Sequence, residues 1–332
     1  MSDAQRYHVL DRAPFSLASY LLRWESILVM LLAAVIIINT AISPYFLDIY
    51  NLSDATFNFS EKAIIALSMA LLIITREIDL SVAATIAVCS LVMGLLSQMG
   101  FGTPILVIAG LAVGAIAGAV NGALVTWFRL PSIVVTIGTM SLFRGIAQVV
   151  LGDQALTKYP SALTSFGQGY IWPGVPIPNS FALFLILACI FGFVLHRTVI
   201  GRQIFAIGHN PTAARFSGIK VEKIRFWLFV LTGTMAGLAA VLLTGRIGST
   251  RPNIALGWEL EIITIVILGG ISIAGGTGTI FGLVLSVFIL GLTIFGLSLV
   301  NIPGIEIAIL IGLLLIISIA IPIMSAKWRG RT

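Results

Sequence analysis

Charge is scarce in this 332-residue chain: only 10% of its residues are Asp, Glu, Lys or Arg, whereas 58% are hydrophobic. A soluble domain carries about a quarter charged residues, so the deficit excludes an ordinary cytosolic enzyme and any disordered protein. Cysteine is nearly absent. Cys89 and Cys189 both sit inside apolar runs, where small-residue packing explains them and a disulfide framework does not. Histidine is sparse as well: His8, His196 and His209 are too scattered for a His-x-x-x-His metal pair, and the cysteines lack ligand spacing. No Gly-x-x-x-x-Gly-Lys-[Ser/Thr] run occurs, so a Walker-type phosphate cradle is missing, and there is no Gly-x-Ser-x-Gly elbow. These absences predict a chain with no catalytic residues, no metal site and no cofactor of its own.

What the chain has in abundance is long apolar runs, and its mean hydropathy is +1.09. A membrane crossing takes roughly 20 apolar residues, because a rise of about 1.5 Å per residue must cover a hydrocarbon core about 30 Å thick. Runs at 26–43, 61–75, 81–99, 104–127, 131–151, 180–196, 225–244, 259–274, 277–298 and 302–324 predict an all-α, polytopic membrane protein of about ten transmembrane helices, short or broken ones included. The reading divides the chain into an N-terminal segment 1–25, a transmembrane domain 26–324 and a tail 325–332. Polar sequence through Glu25 precedes the first run, so that span is expected to remain as a signal anchor.

The net charge of +6 does not point to nucleic acid, because the basic residues flank apolar runs instead of forming an aromatic-interleaved patch. One side of the predicted topology holds Arg6, Arg12, Arg23, Arg76, Arg129, the stretch from Arg197 to Arg225 and the final Lys327, Arg329 and Arg331. The other side holds only Lys62, Lys158, Arg246 and Arg251. Fourteen against four, with Arg144 inside a span, predicts that both termini and the loop 197–225 are cytoplasmic. The opposite loop 152–179, with its prolines and aromatics, is expected to be ordered at the outer interface, where it meets a soluble partner or rests on lipid.

Two runs, the second and the eighth, are short for crossings and lead into unusual loops, Thr75 to Ser81 and Gly269 to Gly278. Broken helices read this way, and non-helical backbone at membrane depth survives only where protein or a water-filled cavity satisfies it. A short helix ending in a tight turn is the simpler alternative. Gly110, Gly114, Gly118 and Gly122 recur every fourth residue, which makes a smooth stripe for close helix packing. Intramembrane ionisable groups are costly and so are functional candidates. Arg144 is expected to pair with Glu259, Glu261 or Glu61, while Asp79 is expected to cap the next helix or pair with Arg76. Few carboxylates lie at mid-depth, which argues against a proton-coupled secondary transporter. Between Thr198 and Ile224, Asn210 before Pro211 predicts an N-capped short helix over Thr212 to Phe216, ended by Gly218. Such a helix suits docking into a partner's groove, or lies as a basic loop on anionic lipid.

These residues resemble the permease subunits of bacterial carbohydrate ATP-binding-cassette importers of the ribose, xylose, galactose and rhamnose type. The resemblance rests on Gly-Arg-x-x-x-Ala-x-Gly-x-Asn-x-x-Ala-Ala-Arg-x-Ser-Gly-Ile from Gly201 to Ile219, on Ile78-Asp79-Leu80-Ser81-Val82, on Asn121 through Pro131-Ser132 to Gly138-Thr139 and Arg144-Gly145, and on Trp258-Glu259-Leu260 through Gly269-Gly270 to Gly275-Gly276-x-Gly278. It implies an inner-membrane channel subunit that pairs with a second permease copy or a homologue, binds two ATPase subunits and receives sugar from a periplasmic binding protein. It also implies that Gly201, Arg202, Gly208, Asn210, Ala213, Ala214, Arg215, Ser217 and Gly218 belong to the ATPase-coupling loop. A path for a neutral, hydroxyl-rich solute calls for hydrogen-bonding groups, and the candidates are Asp79, Ser81, Asn121, Thr136, Thr139, Arg144, Gln148, Glu259 and Glu261. The alternative is an ATP-independent transporter or facilitator for a small polar solute. Where the family carries Gly-Gly before Ile-Asp-Leu-Ser, this chain has Arg76-Glu77, two residues that cannot easily share the left-handed or closely packed backbone that glycines permit. The departure marks a loop of different shape or a subfamily, with a rhamnose-type system favoured. The solute stays open among ribose, xylose, rhamnose and an autoinducer-2-like furanone.

Overall fold

The computed structural model describes residues 23–172 and 174–328. The basic residues Arg6, Arg12, Arg329 and Arg331, and the segments 1–22 and 329–332, lie outside the described residues, as does the side chain of Lys327. The helices are α1 (Trp24–Ile42), α2 (Ile49–Ile74), α3 (Val82–Gln98), α4 (Thr103–Thr126), α5 (Ser132–Leu151), α6 (Ser161–Gly167), α7 (Asn179–Arg197), α8 (Val199–His209), α9 (Pro211–Phe216), α10 (Val221–Ile247), α11 (Trp258–Leu268), α12 (Ile280–Leu299) and α13 (Gly304–Trp328). Seven of the described helices, α1, α2, α4, α5, α7, α10 and α12, are long and apolar enough to cross a membrane. The apolar helices α3 and α13 join them, and α11 is a half-length piece. Among the described residues the one sheet is an antiparallel hairpin, β1 (Tyr170–Trp172) with β2 (Val175–Pro178), which together with α6 gives the loop 152–179 an ordered shape.

The bundle is organised around α2. Its residues from Ala63 to Ile74 are apolar on every face except Ser68, and all are buried, as expected of a helix surrounded by others. Its neighbours are α10, α7, α11, α12 and the hairpin. This corrects the expected short second span, since α2 has 26 residues and is about 39 Å long at 1.5 Å per residue. Asn51, Ser53, Asp54, Asn58 and Ser60 dilute the hydropathy of its first turns, but helix entry is set by the cap. The Asp48 carboxylate accepts from the Tyr50 and Asn51 amides at 2.9 and 3.1 Å.

The stripe of Gly110, Gly114, Gly118 and Gly122 on α4 lies against α10, the most extensive helix pairing of the bundle. Cβ atoms added at Gly114 and Gly118 would collide with the carbonyl oxygens of Gly233 and Phe229, so the two backbones touch. On the bundle's outside, α5 leaves Ile133, Val134, Ile137, Leu142, Ile146 and Val149 uncovered, a face made for lipid or another subunit.

At α11 the broken-helix reading matches the structure. The helix spans 11 residues, about 16 Å and half a membrane core, and stops at Leu268. The loop after it places Gly270, Gly275, Gly276 and Gly278 at φ of 86°, 82°, 81° and 148°, backbone that residues with a Cβ rarely adopt.

Candidate functional site

The stretch from Thr198 to Gly218 is built from local signals. Thr198 accepts from the Gly201 amide at 3.3 Å and starts α8 directly after α7, and a Cβ on Gly201 would strike the Leu195 carbonyl. Asn210 Oδ1 accepts from the amides of Thr212 and Ala213, both at 3.0 Å, so α9 begins with a side-chain cap and Pro211 in its first turn. Gly218, at φ 83°, ends it. Gly208 and Ala214 face inward, and Ala214 packs with Ile207 and Val221. Arg202, Ala213, Arg215, Ser217 and Gly218 face outward. Arg215 pairs with Glu222 of α10, and both side chains are nearly half exposed. Next to it Phe216 is 90% exposed, a feature that an apolar letter in a short motif does not signal.

This element is tied to the bundle by the loop that departs from the family pattern. Arg76 adopts φ 69°, so the chain does take a left-handed turn here without glycine. The Arg76 guanidinium donates to the carbonyls of Gly208 at 2.8 Å and His209 at 3.0 Å, which holds the arginine in that conformation. Glu77 pairs with Arg225 of α10 at 2.8 Å, and Arg225 also donates to the Thr75 carbonyl at 2.8 Å. The Gly276 amide donates to the Ile74 carbonyl at 2.9 Å, and a Cβ on Gly208 would strike both groups. The end of α2, the α8–α9 corner, the start of α10 and the glycine loop after α11 therefore meet at one point. A cavity of about 270 Å³ beside it is lined by Glu77, Arg129, Arg215, Glu222 and Arg225.

Among the expected path residues, five gather and four do not. Asp79 Oδ1 accepts from the Ser81 amide at 2.8 Å and from its hydroxyl, and Asn121 Nδ2 donates to Ser81 Oγ at 2.8 Å and to Asp79 Oδ2 at 3.3 Å. The expected pairing of Asp79 with Arg76 is thus overturned, because Arg76 is engaged by α8. Thr136 donates to Ser132 O at 2.8 Å and reaches Ile78 O at 3.4 Å, and Thr139 donates to Thr136 O at 3.3 Å. Asn121 Oδ1 has no hydrogen-bond partner among the described residues.

Arg144 does not form the expected salt bridge. It donates to the backbone carbonyls of Pro252 and Ile254 at 2.9 and 2.8 Å, because the loop 248–257 folds over α5, and Glu259 acts on it only through space, without an ion pair. Gln148 is exposed on α5, and Glu259 sits in the first turn of α11. Glu261 pairs with Lys62, and Glu61 accepts from Arg246 Nε at 2.7 Å. Lys62 also sits 4.9 Å from the centre of the Trp258 ring. Sequence spacing did not bring these four charges together, since they come from α2, α10 and α11. Among the described residues no group of three His, Cys, Asp or Glu could hold a metal ion.

A bundle of apolar helices with a capped corner and a broken half-helix is the architecture of a multi-pass membrane protein. Residues 51–319 match the family described as branched-chain amino acid transport system / permease component, and the chain belongs to that family. It is 34% identical over 300 residues to the autoinducer 2 import system permease protein LsrD of Salmonella paratyphi A, with 89% of this chain and 90% of the relative covered. The LsrD proteins of Escherichia coli K12 and Shigella flexneri match to the same extent. No solved structure matches the chain. The chain is the permease subunit of an ATP-binding-cassette importer of the inner membrane. It is a transport subunit and not an enzyme, and it works with a solute-binding protein and an ATPase. The comparisons give no support to a transporter working without ATP.

Proposed function

We propose that the chain is one of two permease subunits, a second copy or a homologue, that form the import path for a small neutral sugar-like solute. Two cytoplasmic ATPase subunits and a periplasmic binding protein complete the assembly. Autoinducer 2, named for the LsrD relatives, is the favoured solute over the branched-chain amino acids of the family description, because the relatives match along nine-tenths of both chains. In this reading the segment 1–25, the loop 197–225 and the tail 325–332 are cytoplasmic, the loop 152–179 is periplasmic, and the excess of basic residues supports that orientation.

One observation carries the coupling role: Phe216 and Arg215 stand exposed on the capped helix α9, whose inner face packs on α8 and the start of α10, and α8 in turn is bonded to the loop after α2 and lies against the glycine loop. A large exposed aromatic beside a cation, on a rigid support, is the composition of an interface anchor. ATP-driven closure of the ATPase pair would pull on α9, and the contacts at Arg76, Glu77 and Gly276 would pass that motion to the spans. The test is copurification of the ATPase with tagged permease. Phe216→Ala and Arg215→Glu abolish copurification while the permease stays in the membrane. The exchange Arg215→Glu/Glu222→Arg restores the ion pair without restoring the ATPase. Unchanged copurification in the single variants refutes the docking role.

A further inference from the structure

At the end of the bundle away from α9, a cavity of about 390 Å³ lies between α2, α10, α11 and α12. Its wall combines the aromatic side chains of Phe59, Trp258 and Phe295 with the polar groups of Asn58, Lys62, Arg246, Glu261 and Ser298. Asn58 and Ser298 are exposed, so the cavity opens to that end, while Lys62, Glu261 and Arg246 are 14%, 16% and 22% exposed. From this arrangement we infer that the cavity is this subunit's binding site for a neutral, polyhydroxylated solute on the import path. The inference rests on the importer reading and assigns the solute to residues outside the Asp79 and Asn121 cluster.

Three features select that ligand class. First, the charges cancel: Lys62 pairs with Glu261 and Arg246 with Glu61, so the site holds no uncompensated charge to attract an ion. Second, the paired groups keep capacity for more hydrogen bonds. An ammonium has three donors and Lys62 spends one on Glu261; a guanidinium has five, of which Arg246 uses Nε on Glu61 and Nη1 on Asn58. Hydroxyl groups can both accept from these donors and donate to carboxylate oxygen, with the strength of charge-assisted bonds. Third, the aromatic walls offer flat apolar surface to the C–H faces of a ring compound, and pockets of roughly 300–1,000 Å³ that mix apolar walls with a few convergent polar groups are the usual form of small-molecule sites.

Its place on the fold gives the site a consequence. It sits at the first turn of α11, and the loop at the other end of that half-helix meets Ile74 and His209 beside α9. A shift of α11 therefore moves the solute site and the coupling corner together.

The experiment uses the assembled importer in lipid nanodiscs with Cys189→Ser and Ser298→Cys, labelled by a membrane-impermeant maleimide at the cavity mouth. Autoinducer 2, D-ribose, L-rhamnose and L-leucine are the probes. At about twice its dissociation constant a bound solute slows labelling about threefold by mass action. Slowing by at least one of the three hydroxylated probes and none by leucine is the expected result. Slowing by leucine alone, or by no probe, overturns the inference. In parallel, Ser298→Trp fills the mouth from an exposed position, and loss of solute uptake by a complex that still copurifies with its ATPase is expected. Undiminished uptake by that complex overturns the site and leaves the importer reading intact. Failure of the unsubstituted permease to copurify with an ATPase at all would instead overturn the importer reading.

Discussion

Replacing Arg76 separates the two effects that meet at the coupling corner, backbone strain and side-chain bonding. The residue sits at φ 69°, which costs an L-residue roughly 1 kcal/mol relative to glycine. Its guanidinium donates to Gly208 O and His209 O, and at this exposed position each bond contributes about 1 kcal/mol net. Arg76→Ala loses both bonds and keeps the strain, so the corner is weakened by about 2 kcal/mol. Arg76→Gly loses the same bonds but relieves the strain, for a net loss of about 1 kcal/mol. Converted at 1.4 kcal/mol per decade, opening of the corner rises about 30-fold in the alanine variant and about fivefold in the glycine variant. Hydrogen exchange at the amides of Gly276 and Asn210, which bond to Ile74 O and Ala206 O, reads that opening in the purified permease. Equal acceleration in the two variants would refute the strain component. No acceleration in either would refute the bonding role of Arg76 altogether.

Gly114→Leu places a side chain on the Gly233 carbonyl of α10, and with two backbones unable to separate it lowers the thermal midpoint or prevents folding, whereas Gly138→Ala meets open space and stabilises its helix by about 0.5–1 kcal/mol; both are read by thermal melting in detergent. Asn210→Ala removes the cap of α9 at a cost of about 1 kcal/mol and reduces ATPase copurification, while Asn210→Asp retains both, as a pull-down series checks. Arg246→Met leaves the fully buried Glu61 without its cation and lowers the melting temperature more than Arg246→Met combined with Glu61→Met, because an unpaired buried charge costs more than a missing pair. Equal melting of the single and double variants would refute that ordering.

Much of the α9 element was legible because its signals are local. An Asn before a Pro, a helix of one or two turns and a Gly after it fix capping geometry within a few residues, and the structure has each of them in place. The glycine stripe was legible for the same reason, since helical period alone puts Gly110, Gly114, Gly118 and Gly122 on one face. Partner choice was not legible. Arg144 finds the carbonyls of Pro252 and Ile254 and not a carboxylate, and Asp79 turns to Ser81 and Asn121 and not to Arg76. For Arg144 the choice depends on where a distant loop falls, and for Asp79 on Asn121 of α4 and on α8 engaging Arg76; hydropathy contains no distances. The start of α2 was missed because a window average responds to composition, while a helix begins at its cap.

Sequence by itself determined that this chain is a polytopic helical membrane protein and marked the eighth apolar run as short, because apolar length and glycine placement are properties of the chain before it folds. Tertiary structure alone decided what those pieces enclose. It brought Arg76 under the α8–α9 corner, set Glu77 against Arg225, and closed Lys62, Trp258, Glu261 and Arg246 around a single cavity. Each of those groupings joins residues more than a hundred positions apart, and the bonds between them exist only once the helices have packed.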